Sequence, residues 1–393
     1  MSVAKKRRKY IKQGFEKANK KMGISFLRFF FNCTSQQTGV ETTFFIELET
    51  INAALSPSEV VLGFTPRINN NLEDLQYALA GTKSVQSIQS ETIVTPSYVV
   101  MRVGCLGKNP SQICSYHSMN ELKVLKKPFE IQLGSCLISE NRLSGFINVE
   151  ADEAYNHPEL LSNAGLAKWN LQYEIKKTEF DCYKNKAQNW SPLGLKTIFA
   201  GSLIYNDEEF VVNPLKSHGY IEKHYYCDLP ETWFHISSSN LTSSISGLAL
   251  QNSNFVLQGI YGDKVSCVFD IEDKKIVFNT ESLKKSKASV WNCLQSPLEE
   301  GETEEDAKLH YSVSFNSKEW VIDVDIYCKV VDLYNRQLEL ASGKRNVLNV
   351  VQSAFGIGEI KIYKKNKNNL EQIEFIKSEK TVCEFGQKET GEV

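Results

Sequence analysis

The sequence has no long apolar run, no closely spaced cysteine pair and no phosphate-binding loop. Its longest apolar stretches, such as Phe29-Phe30-Phe31, fall far short of the ~18 residues that a membrane-spanning helix needs. The N-terminus is basic, but no apolar core follows the basic residues as it would in a secretory signal peptide. We therefore expect a protein without an export signal, located in the cytoplasm.

The cysteines support the same location. All ten are scattered along the chain, and none has the Cys-x-x-Cys spacing of a zinc site or a redox motif. A disulfide framework is not expected in a chain of this length without an export signal. We predict buried thiols in a reducing compartment, and neither a metal ion nor a cofactor.

Two common catalytic signatures are also missing. Gly356-Ile357-Gly358 lacks the further glycine and helix of a dinucleotide fingerprint, and no Gly-x-Ser-x-Gly elbow occurs. Ser237-Ser238-Ser239 lies beside His235, and His235 and Ser237 would share one face of a strand because side chains alternate. No third, orienting residue can be identified in the sequence, so this run does not favour hydrolase chemistry.

Charge is distributed unevenly along the chain. Residues 1–22 hold nine lysines and arginines and one glutamate, a charge of +8, which leaves −10 for the rest of a chain whose net charge is −2. Ile11, Phe15, Ala18 and Met22 would form one apolar stripe on a helix. Such a helix could bind peripherally to the anionic inner face of a membrane. Docking onto the rest of the protein and nonspecific contact with nucleic acid are the alternatives; no specific nucleic-acid partner is expected.

The sequence after the basic arm predicts an all-β protein. The clearest strand alternates Trp320, Ile322, Val324, Ile326 and Cys328 with more polar residues, and period-two alternation means that one face is packed. A short helix is predicted over Leu72–Ala80. Pattern and composition predict a basic arm at residues 1–22 and two β units at residues 23–195 and 196–380. A flexible tail follows at residues 381–393.

The most informative stretch is residues 217–242. Glu222-Lys223 sits among aromatic residues, and three of the six histidines of the chain fall here: His218, His224 and His235. A polar cluster with aromatic walls is what a protein needs to hold a large apolar ligand and act on one point of it. The alternative is an aromatic-rich strand pair that buries a satisfied polar network.

This stretch also carries a family resemblance. The stretch resembles the Tyr-x-Glu-Lys-Asn-Trp-Gly…Phe-Pro…Trp signature of the tocopherol cyclase family. That family is related to the bacterial hydroxyneurosporene synthases. The residues that carry the resemblance are Tyr220, Glu222, Lys223, Leu229, Pro230 and Trp233. The resemblance extends over roughly Ser25 to Tyr363. It implies two tandem lipocalin-like β-barrels that bind an isoprenoid- or lipid-like molecule, preceded here by the short basic helix.

The resemblance implies acid catalysis at Glu222. Family enzymes protonate an isoprenoid carbon-carbon double bond and then add a phenol oxygen or water, as a cyclase or a hydratase, and burial would keep such an acid protonated. Tyr220 and His224 would share the face of Glu222, whereas Lys223 would point away. The ligand-binding residues expected in the same stretch are Trp233, Tyr226, His235 and Asn240.

A noncatalytic alternative stays open. His224-Tyr225-Tyr226 stands where the family has Asn-Trp-Gly, and Arg28 lies in a segment where relatives often carry an acidic residue. A salt bridge at a barrel rim would equally explain Glu222. Both departures favour a lipid carrier or an interaction scaffold that keeps the fold without the chemistry.

Overall fold

The computed structural model describes ten segments of the chain, on which all statements about the structure rest: 2–16, 22–63, 94–107, 109–184, 186–260, 264–272, 274–279, 288–343, 347–366 and 369–388. The described residues contain two α-helices, α1 (Val3–Lys12) and α2 (Ala151–Asn156). Short 3-10 turns occur at Pro158–Leu160, Glu304–Asp306 and Val330–Asp332. The predicted helix at Leu72–Ala80 lies outside the described residues.

Thirteen antiparallel strands form the first sheet. They are β1 (Ile24–Ser35), β2 (Glu41–Ile51), β3 (Tyr98–Cys105), β4 (Ser111–His117), β5 (Lys123–Lys126), β6 (Phe129–Leu133), β7 (Cys136–Ser139), β8 (Arg142–Val149), β9 (Gly165–Lys177), β10 (Tyr183–Lys184), β11 (Gln188–Tyr205), β12 (Glu208–Val212) and β13 (Gly219–Tyr226). Their order is β4-β3-β2-β1-β12-β11-β9-β8-β7-β6-β5, with β13 bridging β1 and β11 and β10 pairing with β11. Because β4 also approaches β8, the sheet curves round on itself.

Eleven antiparallel strands form the second sheet. They are β14 (Thr232–Ser238), β15 (Leu241–Ser243), β16 (Asn254–Ile260), β17 (Lys264–Ile271), β18 (Lys274–Asn279), β19 (Ala288–Gln295), β20 (Lys308–Asn316), β21 (Trp320–Lys329), β22 (Tyr334–Glu339), β23 (Val347–Asn366) and β24 (Asn369–Lys388). The order is β18-β17-β16-β14-β24-β23-β21-β20-β19, with β15 on β24 and β22 on β23. Strands β17 and β19 approach each other, so this sheet is curved as well.

Each sheet has an apolar interior of its own. On β1, Leu27, Phe29 and Phe31 point into the core of the first sheet. On β14, Phe234 and Ile236 point into the core of the second. The alternate residues of both strands face the other sheet, because successive side chains of a strand point to opposite faces. The two sheets therefore pack together through a third layer of buried residues.

The all-β prediction with two successive β units and a short basic N-terminal helix is confirmed. The boundary between the units is corrected: residues 195 and 196 lie within β11, and the chain passes to the second sheet between Tyr226 and Thr232. Pro192 and Gly194 mark register shifts in β11 rather than a linker. Residues 381–388, predicted as tail, belong to β24.

The N-terminal arm docks onto the first sheet. Ile11 and Phe15 of the predicted stripe are buried in the first core. The Nζ atom of Lys223 lies 3.4 Å from the centre of the Phe15 ring. Met22 is 46% exposed, and Ala18 lies outside the described residues. Docking, one of the alternatives left open by the sequence, thus accounts for the apolar stripe where it is described.

No helix in the described part of the chain is long and apolar enough to cross a bilayer.

Candidate functional site

The polar cluster predicted from the sequence lies between the two sheets, not inside either one. Along β13, Tyr220, Glu222, His224 and Tyr226 alternate on the face that meets the second sheet, and all four are buried. His235 of β14 faces them, with its Nδ1 3.6 Å from Oε2 of Glu222. The predicted shared face of Tyr220, Glu222 and His224 therefore exists, on the outside of the first sheet.

Lys223 points the other way, as alternation predicts. Its Nζ donates a hydrogen bond of 2.7 Å to Ser25 Oγ, beneath Phe15 of the N-terminal arm. Burial lowers the pKa of this lysine well below its ordinary value. Lys223 is thus separated from Glu222 by the strand itself.

A network of arginines and glutamates surrounds the cluster. Arg28 of β1 donates to Glu47 at 2.6 Å and to Glu384 of β24 at 2.8 Å, so it joins the two sheets. Arg102 donates to Glu47 at 2.8 Å and to Glu49 at 3.0 Å. Every one of these side chains is at most 4% exposed. Buried charges need such partners, because removing an ion from water costs several kcal/mol.

Arg336 of β22 lies near glutamates of both sheets. Its Nη2 donates to Glu384 at 3.4 Å, and its Nη1 lies 3.6 Å from Oε1 of Glu47. Two apolar clusters flank the charges in the same layer. One includes Phe26 and Trp233, and the other includes Phe30 and Val256. The apolar flanks exclude water from the ions, which strengthens their mutual attraction.

Glu222 accepts contacts from several sides. Tyr220 Oη donates to Oε2 at 3.0 Å, and Trp190 Nε1 donates to the same oxygen at 3.2 Å. His224 Nε2 lies 2.9 Å from Oε2, and Arg28 Nη1 lies 3.7 Å from Oε1. A carboxyl group surrounded by donors is stabilised as the anion.

The pKa values of the cluster follow from this geometry. Burial alone would raise the pKa of Glu222, but the facing His224, His235 and Arg28 outweigh burial and lower it. Burial lowers the pKa of both histidines, against the pull of Glu222. Tyr220 and Trp190 stabilise the anion by hydrogen bonding, and Arg28 is the permanent positive charge beside it. The pKa of Glu222 is therefore lowered, and not raised as expected from burial.

Two histidines next to Glu222 lead away from it in different directions. In one, His224 Nδ1 lies 2.8 Å from Tyr226 Oη, which accepts a bond of 2.6 Å from Gln258 Nε2 of β16. In the other, His235 Nε2 lies 3.1 Å from Ser237 Oγ. The first branch ends inside the interface between the sheets, whereas the second reaches a cleft.

This cleft opens between the sheets at the ends of β13 and β14. Tyr220 and Ser237 lie on its wall beside Phe30 and Phe255, and the space open to a water-sized ligand is about 40 Å³. Polar side chains complete the wall, among them His218, Asn240 and Lys380. The cleft can accept a small group with one apolar side, and anything larger would extend outwards.

The structure distributes the predicted site residues as follows. Tyr220, Glu222, His224, Tyr226 and His235 come together, and Asn240 lies on the cleft wall. Trp233 packs in an apolar cluster of the interface with its indole against Gly386, and does not line the cleft described above.

The sequence analysis missed several members of the site: Arg28, Glu47, Trp190, Arg336 and Glu384. One signal was available for Arg28. It stands in a strand whose neighbours on both faces are apolar, and a charge in such a strand must be buried with a partner. The identity of that partner could not be read from the sequence, because Glu384 lies on the other sheet.

Comparison with known proteins adds little. No protein-family model and no curated protein matches the chain. Among solved structures, kievitone hydratase from Nectria haematococca matches with 9% identity and a TM-score of 0.46, over 94% of this chain and 90% of that one. A protein of Nitrosomonas europaea assigned as AttH matches with 8% identity and a TM-score of 0.41, over 91% of this chain and 93% of that one. Both scores are low, so neither likeness assigns the chain to a family.

Proposed function

We propose that the chain binds the end of an isoprenoid- or lipid-like molecule in the cleft between the sheets and exchanges a proton with it, in a hydratase-like reaction. We place the ligand at the cleft rather than in a barrel interior because the buried polar cluster adjoins the cleft through Tyr220 and Ser237. Phe30 and Phe255 would contact the apolar part of the ligand, and Asn240 a polar group on it.

One observation carries this proposal: a buried anion is connected to the cleft through a neutral histidine. His235 lies between Glu222 and Ser237, at 3.6 and 3.1 Å. A histidine that is neutral at physiological pH accepts a proton readily, and an adjacent carboxylate stabilises the imidazolium that forms. His235 instead of Glu222 is thus the group that exchanges the proton, acting as a base, and Glu222 becomes the positioning residue behind it.

Tyr220 has a different role from an acid. Burial, followed by the negative charge of Glu222, raises the pKa of this phenol well above its ordinary value. It therefore remains a neutral hydrogen-bond donor to Glu222 and presents its ring to the cleft. The role of His224 is to hold the same carboxylate from the opposite side.

The first test asks whether a ligand is present. Full-length protein would be extracted with organic solvent and the extract examined by mass spectrometry, alongside Asn240→Trp, which fills the cleft, and Leu215→Trp at a site 94% exposed. We expect a hydrophobic molecule with the wild type and Leu215→Trp, and its loss from Asn240→Trp. Equal amounts of any molecule in all three proteins would contradict the proposed binding site.

The second test concerns proton exchange. The extracted molecule would be incubated with the protein in D2O, and deuterium on carbon measured by mass spectrometry. We expect incorporation with the wild type and none with His235→Gln, which keeps the polarity of the side chain but cannot carry the proton. Incorporation at the wild-type rate with His235→Gln would rule out this role.

A noncatalytic carrier or scaffold is the second candidate. It is favoured by the dense pairing of Arg28, Glu47 and Glu384, which explains the buried charges by the packing of the sheets alone. A carrier would yield the bound molecule in the first test and no deuterium in the second. A scaffold would yield neither.

Attachment of residues 1–22 to an anionic membrane stays a prediction. Its basic side chains are in part already paired, since Arg7 donates to Thr178 at 2.8 Å and Arg8 to Glu140 at 2.6 Å. Sedimentation with anionic vesicles at low salt would compare the full chain with a chain that starts at Gly23. Stronger binding by the full chain supports attachment; equal binding with lower stability of the short chain leaves docking as the function of the arm.

A further inference from the structure

Three side chains of the interface stand in the order of a catalytic triad. Ser237 Oγ lies 3.1 Å from His235 Nε2, and the other ring nitrogen of His235 lies 3.6 Å from Glu222 Oε2. His235 Nδ1 has no hydrogen-bond partner among the described residues. The sequence could not supply the third residue, because Glu222 belongs to a different sheet from the other two.

All three side chains are buried, and Ser237 is the one of the three that also lies on the wall of the cleft. Burial keeps the pKa of His235 below its ordinary value, so the imidazole is free to take a proton from the serine. The Glu222 anion is held in place by Tyr220 and Trp190, which fixes it behind the histidine.

We infer that Ser237 is a nucleophile, activated by His235 and positioned through Glu222, that removes a small acyl group from an ester. The inference rests on the proposed function in one respect, the use of the same cleft. It adds an activity that proton exchange alone does not provide. The limited space beside Ser237 restricts the acyl group to about the size of acetyl, while the alcohol part points outwards.

The reaction balances with water as the second substrate. Ser237 Oγ bonds to the acyl carbon as its proton passes to His235 Nε2, and the ester C–O bond then breaks while the leaving alcohol takes that proton. Water next gives a proton to His235 and its oxygen to the acyl carbon. The acyl–Oγ bond breaks, Oγ regains the proton, and the acid leaves.

Negative charge on the carbonyl oxygen needs donors nearby. Three side chains with N–H groups line the same cleft as Ser237: His218, Asn240 and Lys380. Such donors stabilise the charge that develops in the transition state, which is commonly the largest single contribution to acyl-transfer rates.

A second serine–histidine–glutamate trio in the chain serves as a control for the first. Ser115, His117 and Glu121 repeat the spacing of Ser237 and His235 in reverse, with Ser115 Oγ to His117 Nε2 and His117 Nδ1 to Glu121 Oε2 both 2.8 Å. Here the carboxylate side chain is 51% exposed, so water screens it. The distances of this trio are shorter, but its surroundings are those of a surface.

The experiment uses full-length protein with 4-nitrophenyl acetate and a small fluorophosphonate. We expect a burst of nitrophenolate equal to one per chain, and a fluorophosphonate adduct at Ser237 located by peptide mass spectrometry. Ser237→Ala and His235→Gln should lose both, by at least 100-fold in rate, while Ser115→Ala keeps both. Melting curves show whether each variant is folded. If Ser237→Ala does not fold, Ser237→Thr, which retains a hydroxyl, is measured in its place.

The outcomes separate this inference from the proposed function. A wild type that shows no adduct at Ser237, yet carries a bound molecule and incorporates deuterium, overturns the triad alone. An adduct at Ser237 without a bound molecule or deuterium overturns the proposed function alone. Adduct formation lost in Ser115→Ala instead of Ser237→Ala assigns the reactivity to the surface trio and refutes the inference.

Discussion

The interiors of the sheets and the layer between them bury side chains of opposite character. Inside the first sheet the packing is almost wholly apolar, with residues such as Leu27 and Phe29 of β1. On the opposite face of the same strand, Arg28 is buried to the same degree and contacts three glutamates. Apolar packing tolerates changes of shape, whereas ion pairs fix one partner opposite another. The charged layer therefore sets how one sheet is placed on the other, and the interiors supply most of the stability.

The largest effect is expected from removing one charge of the layer. Arg28→Met would leave Glu47, Glu222 and Glu384 buried with fewer positive partners, and should lower the free energy of unfolding by about 3–5 kcal/mol. Urea denaturation would measure this. Ile326→Val, a small deletion inside the second sheet, should cost only about 0.5–1.5 kcal/mol. An Arg28→Met protein as stable as Ile326→Val would abolish the distinction between the two regions.

A larger deletion inside a sheet comes next. Leu257 is fully buried in the second core, and Leu257→Ala should lower the free energy of unfolding by about 2–5 kcal/mol through lost burial and the cavity left behind. Leu294→Ala, at an exposed position, should change it by less than about 0.5 kcal/mol. The cost of Leu257→Ala should not depend on pH, since no charge is altered. A marked pH dependence would show that the interior and the layer are coupled.

Glu339 offers a third, smaller effect that depends on pH. It accepts a bond of 2.6 Å from the Gly63 N–H, and no lysine or arginine pairs with it among the described residues. Burial raises its pKa to about 8, with Glu49 adding to the rise and Tyr98 and Arg102 opposing it. A carboxyl group whose pKa is raised by folding stabilises the folded state fully at pH values below its ordinary pKa. Glu339 loses this contribution as the pH rises through about 8.

Stability should accordingly fall between about pH 4.5 and 8, by at most about 1.4 kcal/mol per pH unit from this group. Glu339→Gln keeps an acceptor for Gly63 and should remove this part of the slope. Thermal unfolding at several pH values, with wild type and variant side by side, is the measurement. Parallel curves for the two proteins would mean that Glu339 is ionised in the folded state.

The smallest effect is expected at the surface. Arg8 pairs with Glu140, but both side chains are more than two-fifths exposed. Arg8→Ala should therefore change the free energy of unfolding by about 0–1 kcal/mol, because water and salt screen such a pair. A cost near that of Arg28→Met would show that burial is not what distinguishes the charges between the sheets.

Much of this architecture could be predicted from the sequence, and one class of feature could not. Alternation along β13 identified Tyr220, Glu222 and His224 as neighbours on one face, and separated Lys223 from them. Period-two patterns do not reveal which of two buried faces is the inside of a sheet. The cluster was for that reason assigned to a barrel interior, although it lies between the sheets.

The error in the acidity of Glu222 has the same origin. Burial was visible in the sequence through the aromatic neighbours, and burial alone raises the pKa of a carboxyl group. Arg28, which keeps this one ionised, precedes it by most of the first sheet and is brought opposite by the pairing of β1 with β13. Partners so distant along the chain have no local pattern that announces them.

The position of β24 in the second sheet has a consequence for biosynthesis. It pairs with β14, β15 and β23 and carries Glu384. The second sheet and the contact between Arg28 and Glu384 therefore cannot be completed before the chain has been synthesised to about residue 388. Until these leave the ribosome, the first sheet stands with its outer face uncovered. An apolar face in that position would attract other nascent chains. Because the centre of this face carries Arg28, Arg102, Glu47 and Glu49, we expect water to solvate it better than a wholly apolar face until the second sheet covers it.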